Sequence, residues 1–340
     1  MTVLPYSGVP IFNEDGTFRK EDDVVQGRSY SSNLTKLLKQ LPKLENLQKG
    51  KPPSPVMAHI SLTNYCNLTC SFCCFANRDI SEKMPTEKVL KALDSFRAVG
   101  VTGVEFTGGG EPSIHPDFKK IVRYAKDLGF SLGICTNAAR FGMDRPIKKD
   151  IVELFDWVRM GMYGFYEGYD YDLRVFEGTN CKPSAAYVWD ENLETSKNPN
   201  ITGEWTDVKN KRMLSKKFQT TENFIRMLDW VEENKIPCRI AFNAIKDVKE
   251  TAKDIETIRG IIHEYEEDRG RKLQSAFLSD FNFKGERRND HCYMHMVKPF
   301  LFTDGYVYAC PSAELSIENN YNYVPESQFA VCDVDGIIDF

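Results

Sequence analysis

The chain has 340 residues, of which 41% are hydrophobic and 27% are charged, and its formal net charge is -5. This length allows one large barrel-sized domain with an appendage, and the small negative charge gives no general reason to expect a nucleic-acid partner. The N-terminus has no signal-peptide pattern and no apolar stretch approaches about 18 residues, so we predict a cytoplasmic protein without a membrane partner.

Residues 1–56 contain no long periodic pattern and are predicted to form an N-terminal arm and linker. The leucines between Leu34 and Leu41 have helical spacing. Three prolines between Pro52 and Pro55 predict a stiff connection to the main domain.

From residue 57 to residue 284 the apolar pattern alternates between short strands and amphipathic helices. The predicted strands are 58–63, 104–106, 131–136, 157–162, 238–244 and 273–281. The predicted helices cover 89–96, 118–128, 224–231 and 255–265. Alternation of this kind predicts an α/β fold, in which a parallel sheet is covered by helices. Six strands fit an open, partial (β/α)6 barrel.

Three cysteines follow the first predicted strand within eight residues: Cys66, Cys70 and Cys73. They can converge on one metal centre only if the backbone loops around it. Three thiolates are one fewer than a [4Fe–4S] cluster usually has, which would leave one iron open. A zinc site would need a fourth ligand, such as Cys74 or His59, and a redox pair of Cys70 and Cys73 would leave Cys66 without a role.

Two further polar motifs stand at predicted strand ends, where α/β folds bind their ligands. Gly108, Gly109 and Gly110 allow positive φ and close backbone approach, and Glu111 can accept hydrogen bonds from an ammonium group. Thr136 and Asn137 end the third strand, although Asn137 could equally be a simple cap.

Residues 163–217 are predicted to form an irregular insertion rich in aromatic residues. This stretch is longer than one crossover helix requires, and its aromatic content argues against disorder. Two alternatives remain: a lid that faces the substrate, or a scaffold insertion buried against the barrel.

The C-terminal segment, residues 285–340, contains three more cysteines and a hairpin signal. Asp304 and Gly305 between two apolar runs predict a two-residue hairpin turn. Cys292 can approach Cys310 if the intervening segment folds back.

The three-cysteine loop, with an aromatic residue before Cys73 and the glycine turn one βα unit later, resembles the radical S-adenosylmethionine (SAM) superfamily. The resemblance implies a partial (β/α)6 TIM-like barrel, a [4Fe–4S] cluster on Cys66, Cys70 and Cys73, and SAM on the open iron. The residues that it implies for SAM binding are Gly108, Gly109, Gly110, Glu111, Thr136, Asn137 and Arg159.

Residues 285–340 resemble the start of a twitch or SPASM auxiliary domain. The resemblance implies a second [4Fe–4S] cluster with Cys292, Cys310 and Cys332 as ligands. The open alternatives for the fourth ligand are His291, His295, Cys181, an acidic side chain or the substrate. A degenerate domain that has lost the metal is the competing interpretation.

The implied function is reductive cleavage of SAM to a 5′-deoxyadenosyl radical, which abstracts hydrogen from a substrate carbon. An external one-electron reductant, such as flavodoxin or ferredoxin, would supply the electron. The substrate is expected to be a peptide, a sugar or aminocyclitol, or a nucleotide or nucleic-acid base, and the enzyme an oxidoreductase or a mutase. Cys181 is the candidate catalytic residue, as a hydrogen-atom donor. The alternative is a non-catalytic iron–sulfur or zinc protein, in which Glu111 and the glycines have no use.

Overall fold

The structure of the chain is a computed structural model. It describes residues 45, 49, 55–69, 73, 75, 80–138, 147–162, 171–189, 212–213, 221–242, 248–278, 298–308 and 330–339. The predicted arm therefore lies outside the described residues except for residues 45, 49, 55 and 56. The backbone N–H of Lys49 donates a helical hydrogen bond of 3.1 Å to the carbonyl oxygen of Glu45. Among the described helices, none is both long and apolar enough to cross a membrane.

Five α-helices are described, and four of them correspond to predicted helices. They are α1 (Thr86–Ala98), α2 (Phe118–Asp127), α3 (Lys149–Val152), α4 (Thr221–Glu233) and α5 (Val248–Arg269). Apolar residues at helical spacing explain their positions; on α1, for example, Val89, Leu93 and Phe96 are fully buried. Gly100, with φ of +88°, ends α1 because a left-handed residue interrupts the helical hydrogen bonds.

The strands form one ten-stranded sheet and one two-stranded pair. They are β1 (Met57–Ile60), β2 (Leu68–Thr69), β3 (Gly103–Phe106), β4 (Ser131–Thr136), β5 (Trp157–Gly161), β6 (Lys182–Trp189), β7 (Arg212–Met213), β8 (Cys238–Phe242), β9 (Ala276–Leu278), β10 (Phe300–Leu301), β11 (Tyr306–Tyr308) and β12 (Ala330–Asp333). The order in the large sheet is β12-β11-β10-β1-β3-β4-β5-β6-β8-β9, and every pair from β10 to β9 is parallel. This mostly parallel α/β sheet confirms the predicted fold class, and the described strands form an open sheet.

The six predicted strands are all present, but the prediction that residues 163–217 are irregular is wrong for β6. This strand lies between β5 and β8 in the sheet. The buried aromatic residues Tyr187 and Trp189 pack against Phe224 of α4, so part of the insertion's aromatic content belongs to the core. A second part reaches the cysteine loop, since β7 pairs with β2 in the parallel direction.

The C-terminal hairpin is present, and it continues the main sheet because β10 pairs with β1. Its turn differs from the predicted two-residue turn. Phe302 and Tyr306 form the last cross-strand hydrogen bond, Gly305 donates to the Phe302 carbonyl, and Gly305 has φ of +89°. These features define a three-residue loop, in which the left-handed glycine follows a tight turn.

Candidate active site

The cysteine loop begins directly after β1, at the carboxyl edge of the parallel sheet. Cys66 and Cys73 are both half-buried. Cys70 lies outside the described residues, so the convergence of all three sulfurs remains a prediction. Backbone pairing of β2 with β7 holds the segment between Cys66 and Cys70 against the insertion.

The glycine turn follows β3 and packs directly against the chain that leads into the cysteine loop. Gly108 and Gly109 have φ of +83° and +56°, as the sequence predicted. A Cβ at Gly109 would lie 2.4 Å from the Ser61 hydroxyl, and one at Gly110 would lie 1.8 Å from the Tyr65 carbonyl oxygen. Glycine is therefore required here because two backbones touch.

Glu111 joins the glycine turn to the end of β4. Its side chain is buried, and Oε1 accepts hydrogen bonds from the Ser113 hydroxyl at 2.6 Å and the Thr136 hydroxyl at 2.7 Å. Oε2 accepts from the backbone N–H of Asn137 at 2.7 Å. Burial raises the pKa of Glu111 against the opposing effect of these donors. The carboxylate thus fixes the relative positions of the two strand ends.

Asn137 connects this network to the cysteine loop. Its Nδ2 donates to the Asn67 side-chain oxygen at 2.7 Å and lies 3.6 Å from the Cys66 sulfur. Hydrogen bonds to cluster sulfurs are one of the means by which proteins tune iron–sulfur centres. The fold therefore brings together three segments that lie far apart in sequence, which contribute Cys66, Glu111 and the pair Thr136 and Asn137.

An aromatic cluster holds the other end of the cysteine loop against the C-terminal hairpin. Phe75 stacks on Phe300 and Phe302, with ring centroids 6.0 and 6.1 Å apart. A Cβ at Gly108 would lie 2.7 Å from the Phe300 ring, so the glycine turn contacts the same cluster. The hairpin consequently supports both motifs.

Deeper within the sheet, five polar side chains form what we call the inner-face cluster. Its members are His59, Glu105, Cys135, Arg159 and Lys298. The four that lie on strands alternate with apolar residues of the helix-covered core, so they lie on the opposite face of the sheet.

Glu105 is the centre of the inner-face cluster. Its Oε2 accepts hydrogen bonds from His59 Nε2 at 2.7 Å and from Lys298 Nζ at 3.1 Å. Its Oε1 accepts from the Cys135 thiol at 3.0 Å and lies 3.7 Å from the Arg159 guanidinium. The same guanidinium donates to the Cys135 sulfur at 2.7 Å.

The electrostatic environment of the cluster shifts the pKa values of Glu105, His59 and Cys135. Burial disfavours the charged form of Glu105, but His59, Lys298 and Arg159 outweigh burial, so the pKa of Glu105 lies well below its ordinary value. Burial lowers the pKa of His59 and raises the pKa of Cys135 to about 12. Near pH 7, Glu105 is therefore a carboxylate, His59 is neutral and Cys135 is a thiol.

The described contacts of Arg159 are with Glu105, Cys135 and the Trp157 ring, and its contact with SAM stays a prediction. Cys181 is buried and immediately precedes β6, whereas the cysteine loop follows the carboxyl end of β1. Because all these strands are parallel, the fold does not bring Cys181 to the edge where the other predicted site residues meet.

Among the predicted auxiliary ligands, Cys332 lies on β12 opposite Val307 of β11. Cys292 and Cys310 lie outside the described residues, as do His291 and His295. The auxiliary cluster therefore remains a prediction.

Sequence reasoning missed the inner-face cluster, although one signal was available. A strand buried on both faces usually reads as a continuous apolar run, and Val104-Glu105-Phe106 places a carboxylate in the middle of one. A buried acidic residue requires partners, which in this fold come from β1, β5 and the segment before β10.

Comparisons with known proteins match the stretch of chain that contains these site residues. A family model described as the Radical SAM superfamily matches residues 60–168, which include the cysteine loop, the glycine turn, β4 and β5. The S-adenosylmethionine-dependent nucleotide dehydratase of Selenomonas ruminantium is 31% identical over 98 residues, covering 29% of this chain and 35% of that protein. The tungsten-containing aldehyde ferredoxin oxidoreductase cofactor-modifying protein of Pyrococcus furiosus is 37% identical over 98 residues, covering 28% of this chain and 27% of that protein. This chain thus spans about a third of these curated relatives, or less.

Solved structures match over a longer stretch and show the fold. Streptococcus suis SuiB is matched with a TM-score of 0.52 at 18% identity, covering 92% of this chain and 74% of that chain. SuiB bound to its precursor peptide SuiA gives a TM-score of 0.51 at 17% identity, covering 92% and 75%.

Proposed function

We propose that this protein is a radical SAM enzyme, because the Radical SAM superfamily model matches residues 60–168, where the cysteine loop and the glycine turn lie. We assign Cys66, Cys70 and Cys73 as the ligands of a [4Fe–4S] cluster. The observation that carries the proposal is the link through Asn137, which contacts both the Cys66 sulfur and the Glu111 carboxylate.

The described residues fit such a cluster and its ligand. Cys66 and Cys73 are half-buried on one loop, and the Asn137 amide lies within reach of the Cys66 sulfur. Three thiolates would leave one iron of the cluster open to bind SAM. When bound, the cluster and SAM together supply one-electron cleavage of the sulfonium and a radical that abstracts hydrogen from carbon.

The chain's own residues position these groups and keep water away. Glu111 holds the end of β4 against the glycine turn, and Asn137 orients Cys66 from that end. Phe75 and the hairpin phenylalanines cover the other side of the loop with apolar rings. Excluding water protects a reactive intermediate from side reactions, which suits radical chemistry.

Substrate and net reaction are part of the proposal. The substrate is a peptide, a sugar or aminocyclitol, or a nucleotide or nucleic-acid base, and a flavodoxin or ferredoxin in the cytoplasm supplies electrons. A second cluster on Cys292, Cys310 and Cys332 would make the enzyme an oxidoreductase, since it could accept an electron from the substrate. Without that cluster, a redox-neutral mutase reaction is the expectation.

The test is anaerobic reconstitution with iron and sulfide, followed by dithionite and SAM. 5′-Deoxyadenosine should form with the wild-type protein, and Cys70→Ala should abolish it. Cys238→Ala, which removes a fully buried thiol of β8, is the matched control and should retain activity. A colourless protein that binds zinc through Cys66, Cys70 and Cys73 and forms no 5′-deoxyadenosine would refute the proposal in favour of a non-catalytic metal protein.

Iron counting tests the auxiliary cluster separately. Two cubes correspond to about eight irons and one cube to about four. Cys310→Ala should remove only the second set, and a count of about four in the wild type would refute the second cluster.

A further inference from the structure

The two ends of the cysteine loop are joined in what we call the loop neck, residues 62–64 and 82–84. An antiparallel bridge pairs the middle residues of the two segments. Beside this bridge, the backbone N–H of Asn64 donates to the carbonyl oxygen of Glu82 at 2.9 Å. The neck closes the chain between residues 65 and 81, which contains all three predicted cluster cysteines.

A side-chain contact joins the neck to the glycine turn. Asn64 is fully buried, and its Nδ2 donates to Oε2 of Glu82 at 3.1 Å. Its Oδ1 would lie 2.5 Å from a Cβ at Gly109, so the same amide packs directly on the backbone of the turn. The Asn64 side chain therefore contacts both the carboxylate of the neck and the glycine turn.

The backbone of the glycine turn binds the same stretch of chain. The N–H groups of Gly110 and Glu111 donate to the carbonyl oxygens of Thr63 and Tyr65 at 2.6 and 2.9 Å. These bonds hold the chain from the turn, while the carboxylate holds it from the neck. Because Cys66 is the next residue, the position of the first predicted cluster ligand depends on both sets of contacts.

The C-terminal hairpin contributes a second donor to this carboxylate. The hydroxyl of Thr303 lies 3.4 Å from Oε2 of Glu82, the oxygen that also accepts from Asn64. Thr303 is buried and directly follows Phe302, whose ring stacks on Phe75. The hairpin therefore contacts the cysteine loop through its aromatic rings and the loop neck through this carboxylate.

Resting on the proposed function, we propose that Glu82 is a positioning residue of the active site. Through the Asn64 amide, Glu82 fixes where the cluster lies relative to the glycine turn and SAM. The carboxylate orients the amide because a buried amide without a partner is unfavourable. Position matters in this chemistry, since a displacement of about 1 Å can lower a rate roughly a hundredfold.

Variants of the full-length protein, reconstituted without oxygen, test this role. Two properties are measured: the SAM dissociation constant, from the SAM-induced change in the electron paramagnetic resonance spectrum of the dithionite-reduced cluster, and the rate at which a chelator removes iron. Glu82→Met removes the acceptor at similar length, and we expect it to weaken SAM binding and to speed iron loss, each roughly tenfold. Glu82→Gln keeps an acceptor for Asn64 and should resemble the wild type in both measurements.

An exchange of donor and acceptor tests the contact itself. Asn64→Asp places two carboxylates within hydrogen-bonding distance and should impair both properties at least as much as Glu82→Met. In the double variant Asn64→Asp/Glu82→Gln the glutamine amide can donate to the new carboxylate. We therefore expect the double variant to recover both properties to within about threefold of the wild type.

Two controls separate position from stability. Glu87→Met removes an exposed carboxylate from the first turn of α1, and it should leave SAM binding and iron loss unchanged. Urea unfolding of the cluster-free proteins measures how much each variant destabilises the fold. A residue with a structural role alone would change the urea midpoint without changing the SAM dissociation constant.

A positioning role is refuted if Glu82→Met lowers the urea midpoint but leaves SAM binding and iron loss within about twofold of the wild type. It is also refuted if the double variant is as impaired as Asn64→Asp alone. If Asn64→Asp takes up no iron, the comparison of Glu82→Met with Glu82→Gln decides, and equal values for these two would refute the role. A wild type that holds iron but neither responds to SAM nor forms 5′-deoxyadenosine would refute the proposed function, whereas recovery of iron retention in the double variant would still support Glu82 as the residue that positions the metal centre.

Discussion

Gly110→Ala tests whether the glycine turn must touch the chain that leads into the cysteine loop. The substituted Cβ would lie 1.8 Å from the Tyr65 carbonyl oxygen and 2.7 Å from the Asn64 carbonyl carbon. Both are backbone atoms, so no side-chain rotation can relieve the overlap. The two chain segments must separate by about 1.6 Å to reach an ordinary contact of about 3.4 Å.

The cost follows from the bonds that this separation breaks. The Gly110 N–H donates to the Thr63 carbonyl at 2.6 Å, and the Glu111 N–H donates to the Tyr65 carbonyl at 2.9 Å. Each hydrogen bond contributes about 1 kcal/mol net. Overpacking costs about 1–3 kcal/mol more. Together with the two hydrogen bonds, we expect Gly110→Ala to lower the free energy of unfolding by about 3–5 kcal/mol. This is a large share of the roughly 5–15 kcal/mol that stabilises a typical protein.

Urea unfolding of the cluster-free protein measures the loss in free energy of unfolding. Iron content after reconstitution measures whether the substitution also disturbs the cysteine loop. Two other glycines provide controls. Gly260→Ala, on α5 with no atom within 4 Å of its Cβ, should stabilise by roughly 0.5–1 kcal/mol. Gly270→Ala, with φ of +59° and equally open space, should cost only the backbone strain of about 1–2 kcal/mol. If Gly110→Ala unfolds within about 1 kcal/mol of the wild type and retains its iron, the contact between turn and loop is not required.

Three further predictions concern the same region. The pKa of Glu105 lies well below its ordinary 4.5, so ionised Glu105 contributes stability above pH 4.5 that is lost as the pH falls through the folded-state value. The urea midpoint of Glu105→Gln should therefore fall less steeply with decreasing pH than that of the wild type. An equally steep fall in the two proteins would contradict this prediction. Phe75→Ala removes a half-buried ring from the aromatic cluster and should cost about 2–3 kcal/mol, somewhat less than a fully buried phenylalanine. Phe75→Leu should recover most of that loss in the same unfolding assay, and equal losses would argue against packing as the cause. Asn137→Ala removes the side-chain amide that donates to the Cys66 sulfur, but it keeps the backbone N–H that donates to the Glu111 carboxylate. Because the cluster sulfur loses a hydrogen bond, we expect a chelator to remove iron from the reconstituted variant several-fold faster than from the wild type. Equal rates of iron loss would show that this donor does not stabilise the cluster.

Elements with strong local signals were predictable. The strand at 131–136 coincides with β4, and α1 and α2 contain the apolar stripes that predicted them. By contrast, the first part of β6 contains Pro183 and two alanines, residues with low strand propensity, and only Tyr187, Val188 and Trp189 at its end favour a strand. Pairing with β5 and β8 makes this segment a strand, and such long-range pairing has no local signature.

The sequence by itself determined the order of the motifs and the residue types that each contributes: thiols at Cys66 and Cys73, and a glycine turn ending in Glu111. The motifs could be read from the sequence because each depends only on residue types and spacing within one short segment. The partners of Glu105 were decided by the tertiary structure alone. His59 and Lys298 lie 46 and 193 residues away in sequence and meet that carboxylate only through the registers of β1, β3 and β10. Strand register depends on how whole faces pack against the core, so no local pattern could show which charges would be buried together.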